Sequence, residues 1–177
     1  MQEFNYDQSA HVYRAMPGLN KSSIEKLLDC PLAYKLSLEQ EDEPTPAMAF
    51  GTLVHSMILE PGTVPSLYHV MTSSATTKAG KAEKAQALEE GKTIVSASDF
   101  AKAQAMQARV LAHPAASWLL GLPGHSEVSM FWEMPTEDGR TRQCKARADR
   151  IAQVGGGEII IDLKTHSGAV SPAEIER

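Results

Sequence analysis

Three residues towards the C-terminal end of the sequence have the types and spacing of a hydrolytic metal site. Asp162 and Lys164 lie two positions apart in the segment EIIIDLKTH, and Asp149 lies in the preceding segment RTRQCKARADRIAQV. A carboxylate can hold Mg²⁺, and a lysine beside it can orient an attacking water and help to deprotonate it. The combination indicates phosphodiester hydrolysis.

The segments that carry these residues are predicted to be strands of one sheet. Side chains alternate across a strand, so Asp162 and Lys164 are expected to project to the same face. The apolar residues Ile159, Ile161 and Leu163 would then take the opposite face, against the core. A charge at such a buried end needs a partner. The alternative interpretation is a solvated surface ion pair, which is common on exposed strands.

The glycine run between the two strands affects their register, and so whether Asp149 lies opposite Asp162. Gly155, Gly156 and Gly157 are predicted to form a hairpin turn. If this turn centres on residues 155 and 156, Asp149 falls opposite Asp162. Two carboxylates that converge on one point repel each other unless a cation lies between them. We therefore predict a divalent cation, Mg²⁺ with Mn²⁺ as a substitute, at this point.

Other charged residues lie close to this group in the sequence. Glu127 begins the first strand of the predicted sheet and is either an accessory carboxylate or a surface residue. Lys145, Arg147 and Arg150 cluster beside Asp149. They either contact DNA phosphates on both sides of the cut or form an ordinary charged strand face.

His55 is a further candidate, in the helical segment GTLVHSMIL. It lies at the border of the apolar stripe, where a single histidine is usually a satisfied core residue. As a ligand it would offer a neutral ring nitrogen. Gly51, one turn earlier, would let the helix approach the sheet closely. The spacing alone does not identify His55 as a metal ligand.

The periodicity of the chain predicts an α+β fold in a single domain over residues 1–177. A helical part over 20–121 is followed by a three-stranded antiparallel meander over 125–166 that carries the site. Residues 171–177 begin a C-terminal helix. Within the helical part, Ser22 and Ser98 are predicted N-caps. Two segments, 1–19 and 63–77, are predicted to be irregular.

Composition limits the classes of protein that remain. The 177 residues suffice for one core, and 42% apolar with 22% charged residues is ordinary for a globular protein. The net charge of −5 counts against a uniformly basic, nucleic-acid-coating surface. No apolar run suggests a membrane span, and the N-terminus lacks a secretory pattern. Cys30 and Cys144 are too few for an iron–sulfur cluster, and a reducing cytoplasm is expected.

Four segments together resemble the RecB-like branch of the PD-(D/E)xK nucleases, and within it the nuclease domains of the exodeoxyribonuclease VIII (RecE) type. In chain order they are MPGLNKSSIEKLLDCPLAYKL, FGTLVHSMILEP, CKARADRI and IIIDLKTHSGA. The resemblance implies a restriction-endonuclease-like core. Its G-x-x-x-H helix motif nominates His55 as a metal ligand beside Asp149 and Asp162. The backbone carbonyl of Leu163 would add a further ligand, and Lys164 would activate water.

The resemblance also implies an activity and partners. Members of this type degrade linear double-stranded DNA processively in the 5′→3′ direction, form ring oligomers around DNA, and work beside a single-strand annealing protein in phage-type recombination. Such a protein is expected in the cytoplasm of a bacterium or a phage-infected cell.

One part of the family pattern is missing. No Q-x-x-x-Y motif follows Lys164, so the C-terminal helix is expected to be truncated. The alternative function is therefore a non-catalytic remnant that binds DNA or a partner protein. A third interpretation is a nuclease that acts on structured or single-stranded DNA.

Overall fold

The computed structural model of the chain describes residues 3–6, 8–38 and 44–166. They contribute to two compact units, each assembled from two stretches of sequence. The first unit comprises Met1–Pro46 and Pro114–Ile161, and the second comprises Ala47–His113 and Asp162–Arg177. The single domain stays a prediction, and the predicted helix start at 171–177 lies outside the described residues.

Helices and strands are both well represented in the described part of the chain. The helices are α1 (Ala10–Ala15), α2 (Lys21–Asp29), α3 (Pro31–Ser37), α4 (Pro46–Leu59), α5 (Val64–Leu67), α6 (Lys78–Glu89), α7 (Ala97–Ala112) and α8 (Pro114–Gly121). The strands are β1 (Glu3–Asn5), β2 (Tyr68–Val70), β3 (Thr93–Val95), β4 (Gly124–Pro135), β5 (Thr141–Val154) and β6 (Gly157–Ile161). The predicted α+β class is confirmed. None of the described helices combines the length and apolar character needed to cross a membrane.

The first unit contains an antiparallel sheet with the strand order β1-β4-β5-β6. Strands β4 to β6 are the predicted meander. The prediction that residues 1–19 are irregular was wrong, because β1 pairs with β4 and α1 follows it. A three-residue strand has little local signal, since its partner strand lies far along the chain.

The turn between β5 and β6 sets the register on which the site depends. Val154 pairs with Gly157, and the two central residues, Gly155 and Gly156, have φ values of 56° and 82°. A two-residue hairpin turn of this kind needs positive φ at both central positions, which glycine adopts without steric cost. The turn therefore centres on residues 155 and 156.

The core of the first unit includes residues of β4 and β5. Val128, Ala148 and Ile151 are buried and pack together, with Met130 half-buried against them. At Gly124 the strands approach so closely that a Cβ would lie 2.2 Å from the carbonyl oxygen of Ile151. Small residues and this glycine allow the tight packing of the two strands.

Two predicted helix caps were wrong by two residues each. The side chain of Asn20, not Ser22, accepts the backbone N–H of Ser23 at 2.8 Å at the start of α2. Ser96, not Ser98, caps α7, where its hydroxyl accepts the N–H of Asp99 at 3.0 Å. Ser22 and Ser98 therefore lie inside the first turns, whereas the capping side chain belongs to the residue that precedes the helix.

The second unit has its core along α4 and α7. Leu53, Val54 and Met57 of α4 are buried, as is Ala103 of α7. The side chain amide of Gln107 donates to the backbone carbonyl of Met57 and ties the two helices together. The prediction that residues 63–77 form a loop was wrong in part. The segment contains α5 and β2, and β2 pairs in parallel with β3, a non-local contact that a Ser- and Thr-rich sequence does not reveal.

Candidate metal and catalytic site

Glu127 and Asp149 meet across β4 and β5 in the first unit. The neighbouring register pairs are Ser126 with Arg150 and Val128 with Ala148, so Glu127 and Asp149 lie opposite each other between them. Both residues are half-buried, and a carboxylate oxygen of one lies within 4.8 Å of a carboxylate oxygen of the other. Two acidic side chains this close repel each other, and a cation between them would relieve the repulsion.

The backbone at Glu127 is also unusual. Its φ of 55° is the one positive value at a non-glycine residue in the part of the chain that the structure describes. The left-handed region costs a residue with a Cβ roughly 1–2 kcal/mol. Sparsely populated conformations of this kind are concentrated at functional sites, where the surrounding structure holds them. Here the conformation accompanies the carboxylate that faces Asp149.

Asp162 follows the last residue of β6. The β5–β6 ladder ends at the pair Arg150 and Ile161. The position of Asp162 opposite Asp149 therefore stays a prediction. The prediction that the strand continues to His166 was wrong, because β6 ends at Ile161.

Lys164 and Asp162 contact each other directly in the second unit. The Nζ of Lys164 lies 2.7 Å from Oδ1 of Asp162, and the two side chains are 79% and 57% exposed. The alternation predicted for this segment persists beyond the strand, since Leu163 is half-buried between the two exposed residues. An exposed ion pair contributes only about 0–1 kcal/mol to stability. The pair is thus available to a substrate rather than required by the fold.

His55 lies on α4, one turn after Gly51, and is half-buried. At Gly51 an added Cβ would lie 3.2 Å from Oγ1 of Thr165, the residue after Lys164. The glycine therefore lets α4 pack closely against the segment that carries Asp162 and Lys164, within the second unit. This close packing accounts for the glycine of the G-x-x-x-H segment, while the role of His55 as a ligand stays a prediction.

Arg147 forms an ion pair with Glu127 in the first unit. Its Nε donates to Oε2 of Glu127 at 2.7 Å, and its Nη1 donates to Oγ of Ser129 at 2.6 Å and to the backbone carbonyl of Gln8 at 2.8 Å. Arg147 and Asp149 are two apart on β5 and share a face. The guanidinium is therefore anchored at three points beside the carboxylates.

Lys145 and Arg150 are also engaged with the protein. The buried Nζ of Lys145 donates to the carbonyls of Tyr13, Arg14 and Met16 at the end of α1, and burial lowers the pKa of this lysine. Arg150 donates to Oγ of Ser126 at 3.0 Å and to the carbonyl of Leu122 at 2.6 Å. DNA binding by Lys145, Arg147 and Arg150 stays a prediction, and all three have structural partners in the first unit.

Sequence reasoning overlooked Ser129 and the backbone of Gln8 as partners of Arg147. Ser129 is fully buried on the same sheet face as Glu127, and a serine in an apolar strand is a detectable signal. The contribution of Gln8 depends on how the N-terminal segment docks, and no local pattern carries that information.

The sequence of the chain matches one known protein family. Residues 20–174 match the model of a family described as a PDDEXK-like domain of unknown function (DUF3799). No curated protein matches the chain.

Proposed function

Since the chain belongs to this family of PDDEXK-like domains, we propose that it is a metal-dependent deoxyribonuclease that hydrolyses phosphodiester bonds. The observation that carries the proposal is the convergence of Glu127 and Asp149, with carboxylate oxygens within 4.8 Å. Membership of the family confirms the predicted PD-(D/E)xK superfamily and its nuclease-type fold. The RecE-type relationship, the polarity and the recombination role belong to the proposal.

The acidic pair fits a divalent cation by its donor chemistry. Mg²⁺ prefers oxygen ligands at about 2.0–2.1 Å, so two ligands of one ion are at most about 4.2 Å apart. The oxygens of Glu127 and Asp149 are close to this span. Arg147 occupies Oε2 of Glu127, and a carboxylate has further lone pairs with which to bind a metal.

We assign the metal ligands to Asp149 and Asp162, with Glu127 as an accessory carboxylate. The family resemblance adds His55 and the backbone carbonyl of Leu163. When bound, Mg²⁺ polarises the phosphoryl oxygen and acidifies a water. Mn²⁺ offers similar oxygen chemistry and is expected to substitute.

We assign to Lys164 the role of acting on the attacking water and the substrate phosphate. Its ammonium group lies 2.7 Å from Oδ1 of Asp162 and is mostly exposed, so it can reach a substrate phosphate and the attacking water. There it orients the water, and its positive charge favours loss of the water proton to solvent and offsets the negative charge that develops on the phosphoryl oxygens. The P–O bond to the leaving nucleotide breaks as the new bond to the water oxygen forms.

The finer description of the substrate rests on the four resembling segments. We propose 5′→3′ exonuclease action on linear double-stranded DNA in phage-type recombination. A ring oligomer and a single-strand annealing recombinase are the partners that this activity would use.

One observation favours a second candidate function, a non-catalytic module that binds DNA or a protein. The ion pair Arg147–Glu127 is largely buried and offsets the charge of one of the acidic side chains. A chain that retains the fold but not the chemistry would keep this pair for structure alone.

A digestion assay separates the two functions. The purified chain is incubated with linear duplex DNA and Mg²⁺, alongside Lys164→Ala and the matched control Lys102→Ala, which removes an exposed lysine paired with Asp99 at 3.2 Å. We expect digestion by the parent and the control, and a loss of about 100-fold or more in Lys164→Ala. Metal binding without digestion by any variant would instead support the module, and end-labelled DNA determines the polarity.

A further inference from the structure

The orientation of Arg147 is fixed independently of Glu127. Its Nη1 donates to Ser129, which is fully buried, and to the backbone carbonyl of Gln8. Both acceptors belong to the first unit, and neither takes part in the proposed chemistry. The guanidinium is planar and its donors form a rigid fork, so these two bonds also determine where Nε points. Nε points at Glu127.

Glu127 is the partner whose position depends on the contact. Its side chain is 23% exposed and that of Arg147 is 15% exposed, so the 2.7 Å ion pair is only partly screened by solvent. A glutamate side chain has several rotamers, and confining it to one costs roughly 1.5–2 kcal/mol of conformational entropy. A charge-assisted hydrogen bond to a fixed donor offsets this cost.

The same contact opposes the repulsion between the two carboxylates. Glu127 and Asp149 would separate if their charges alone decided the geometry, because their oxygens lie within 4.8 Å. Arg147 supplies a positive charge on the same sheet face and holds Glu127 in place. The acidic pair is therefore organised before any cation arrives.

We propose that Arg147 is a positioning residue, which presents the Glu127 carboxylate to the metal and fastens this part of the site to the N-terminal segment at Gln8. The inference rests on the metal site of the proposed function and assigns to Arg147 a role other than phosphate contact. Residues that orient metal ligands typically change metal affinity or activity by about 10–100-fold when they are replaced.

Removing Arg147 has two opposite effects on a cation. The loss of a positive charge strengthens the attraction of the site for Mg²⁺, whereas the release of Glu127 removes an organised ligand. The positioning role requires the second effect to be larger. Metal affinity should therefore fall, by about 10-fold or more, in Arg147→Met.

The test measures Mg²⁺ binding to the full chain by isothermal titration calorimetry. The variants are Arg147→Met, Arg147→Lys, Glu127→Gln and the double variant of Arg147→Met with Glu127→Gln. The matched control is Arg150→Met, an arginine on the other face of β5 that also donates to a serine and a carbonyl. Arg147→Lys keeps the positive charge but lacks the planar guanidinium, so it should bind Mg²⁺ with intermediate affinity. If Arg147→Met does not fold, Arg147→Lys replaces it in the comparison.

A positioning role predicts that the loss of affinity on removing Arg147 disappears when Glu127 is already neutral. The double variant should bind Mg²⁺ at least as tightly as Glu127→Gln does, because only the charge effect of removing Arg147 is left, and Arg150→Met should bind as the parent does. Unchanged or tighter binding in Arg147→Met, or additive losses in the double variant, overturns the inference while the metal site stands. Failure of the parent to bind Mg²⁺ overturns the proposed metal site and the role of Arg147 together.

Discussion

Glu127 and Asp149 face each other on adjacent antiparallel strands, with carboxylate oxygens within 4.8 Å, and Arg147 donates to Glu127. Two carboxylates this close repel each other. The Arg147 guanidinium offsets part of this repulsion, and a bound cation would offset more of it.

Asp149→Asn should separate metal binding from folding. The amide has nearly the same shape but no charge, and it relieves the repulsion with Glu127, so the metal-free variant should still fold as the parent does. At a Mg²⁺ concentration ten times the Kd, the parent gains about 1.4 kcal/mol of unfolding free energy, and the variant should lose most of this gain. Thermal unfolding with and without Mg²⁺ measures both effects.

The control for this experiment is Asp138→Asn, which removes an exposed carboxylate from the β4–β5 turn. It should keep the Mg²⁺ response of the parent. An equal response in Asp149→Asn would show that residue 149 is not a ligand.

Gly51→Val should destabilise the second unit and reduce any nuclease activity. The added Cβ would lie 3.2 Å from Oγ1 of Thr165, so the segment that carries Lys164 must move. Overpacking of this kind typically costs about 1–3 kcal/mol. Urea unfolding measures the loss of stability, and the digestion assay reports the displacement of the lysine.

The control for Gly51→Val is a glycine at which an added Cβ would meet no other atom. Nothing lies within 4 Å of a Cβ added at Gly121 of α8, so Gly121→Ala should be neutral or stabilising by up to about 1 kcal/mol. Combining Gly51→Ala with Thr165→Ala should recover the stability that Gly51→Ala alone loses. If Gly51→Val is as stable as the parent, close packing at this glycine is not needed.

Glu83 on α6 should make stability depend on pH in the acidic range. Hydrogen bonds from the backbone and side chain of Thr72, from the ring of His69 and from the backbone of Ser73 lower the pKa of Glu83 from 4.5 to about 2, with the Thr72 backbone bond the largest cause. The folded state therefore binds this proton less readily than the unfolded state does. The contribution to stability is complete above pH 4.5 and is lost as the pH falls towards about 2.

The unfolding free energy of the parent should fall more steeply between about pH 5 and about pH 3 than that of Glu83→Gln. Urea unfolding at several pH values measures the two slopes. Glu89→Gln, which removes a carboxylate from the same helix without touching residues 72 and 73, should retain the parent slope. Parallel slopes for the parent and Glu83→Gln would contradict the prediction.

The sequence by itself indicated the turn that sets the β5–β6 register next to the site. Three consecutive glycines admit a tight turn with positive φ, and the structure centres this turn on residues 155 and 156, which fixes the register up to the pair of Arg150 with Ile161. The turn around Asp138 carried the same information for Glu127 and Asp149, which lie equally far from it along the chain. Local turn chemistry suffices here because an antiparallel hairpin propagates its register outward from the turn.

Only the tertiary structure decided how the acidic side chains are held. The bonds from Arg147 to Ser129 and Gln8, the pairing of β1 with β4, and the end of β6 at Ile161 all depend on residues distant in sequence. Charge patterns showed that basic residues lie near Asp149 but not which acceptors they reach. The partners of a side chain depend on how distant segments pack against each other. The sequence of one segment does not determine this packing, because its free energy depends on both segments.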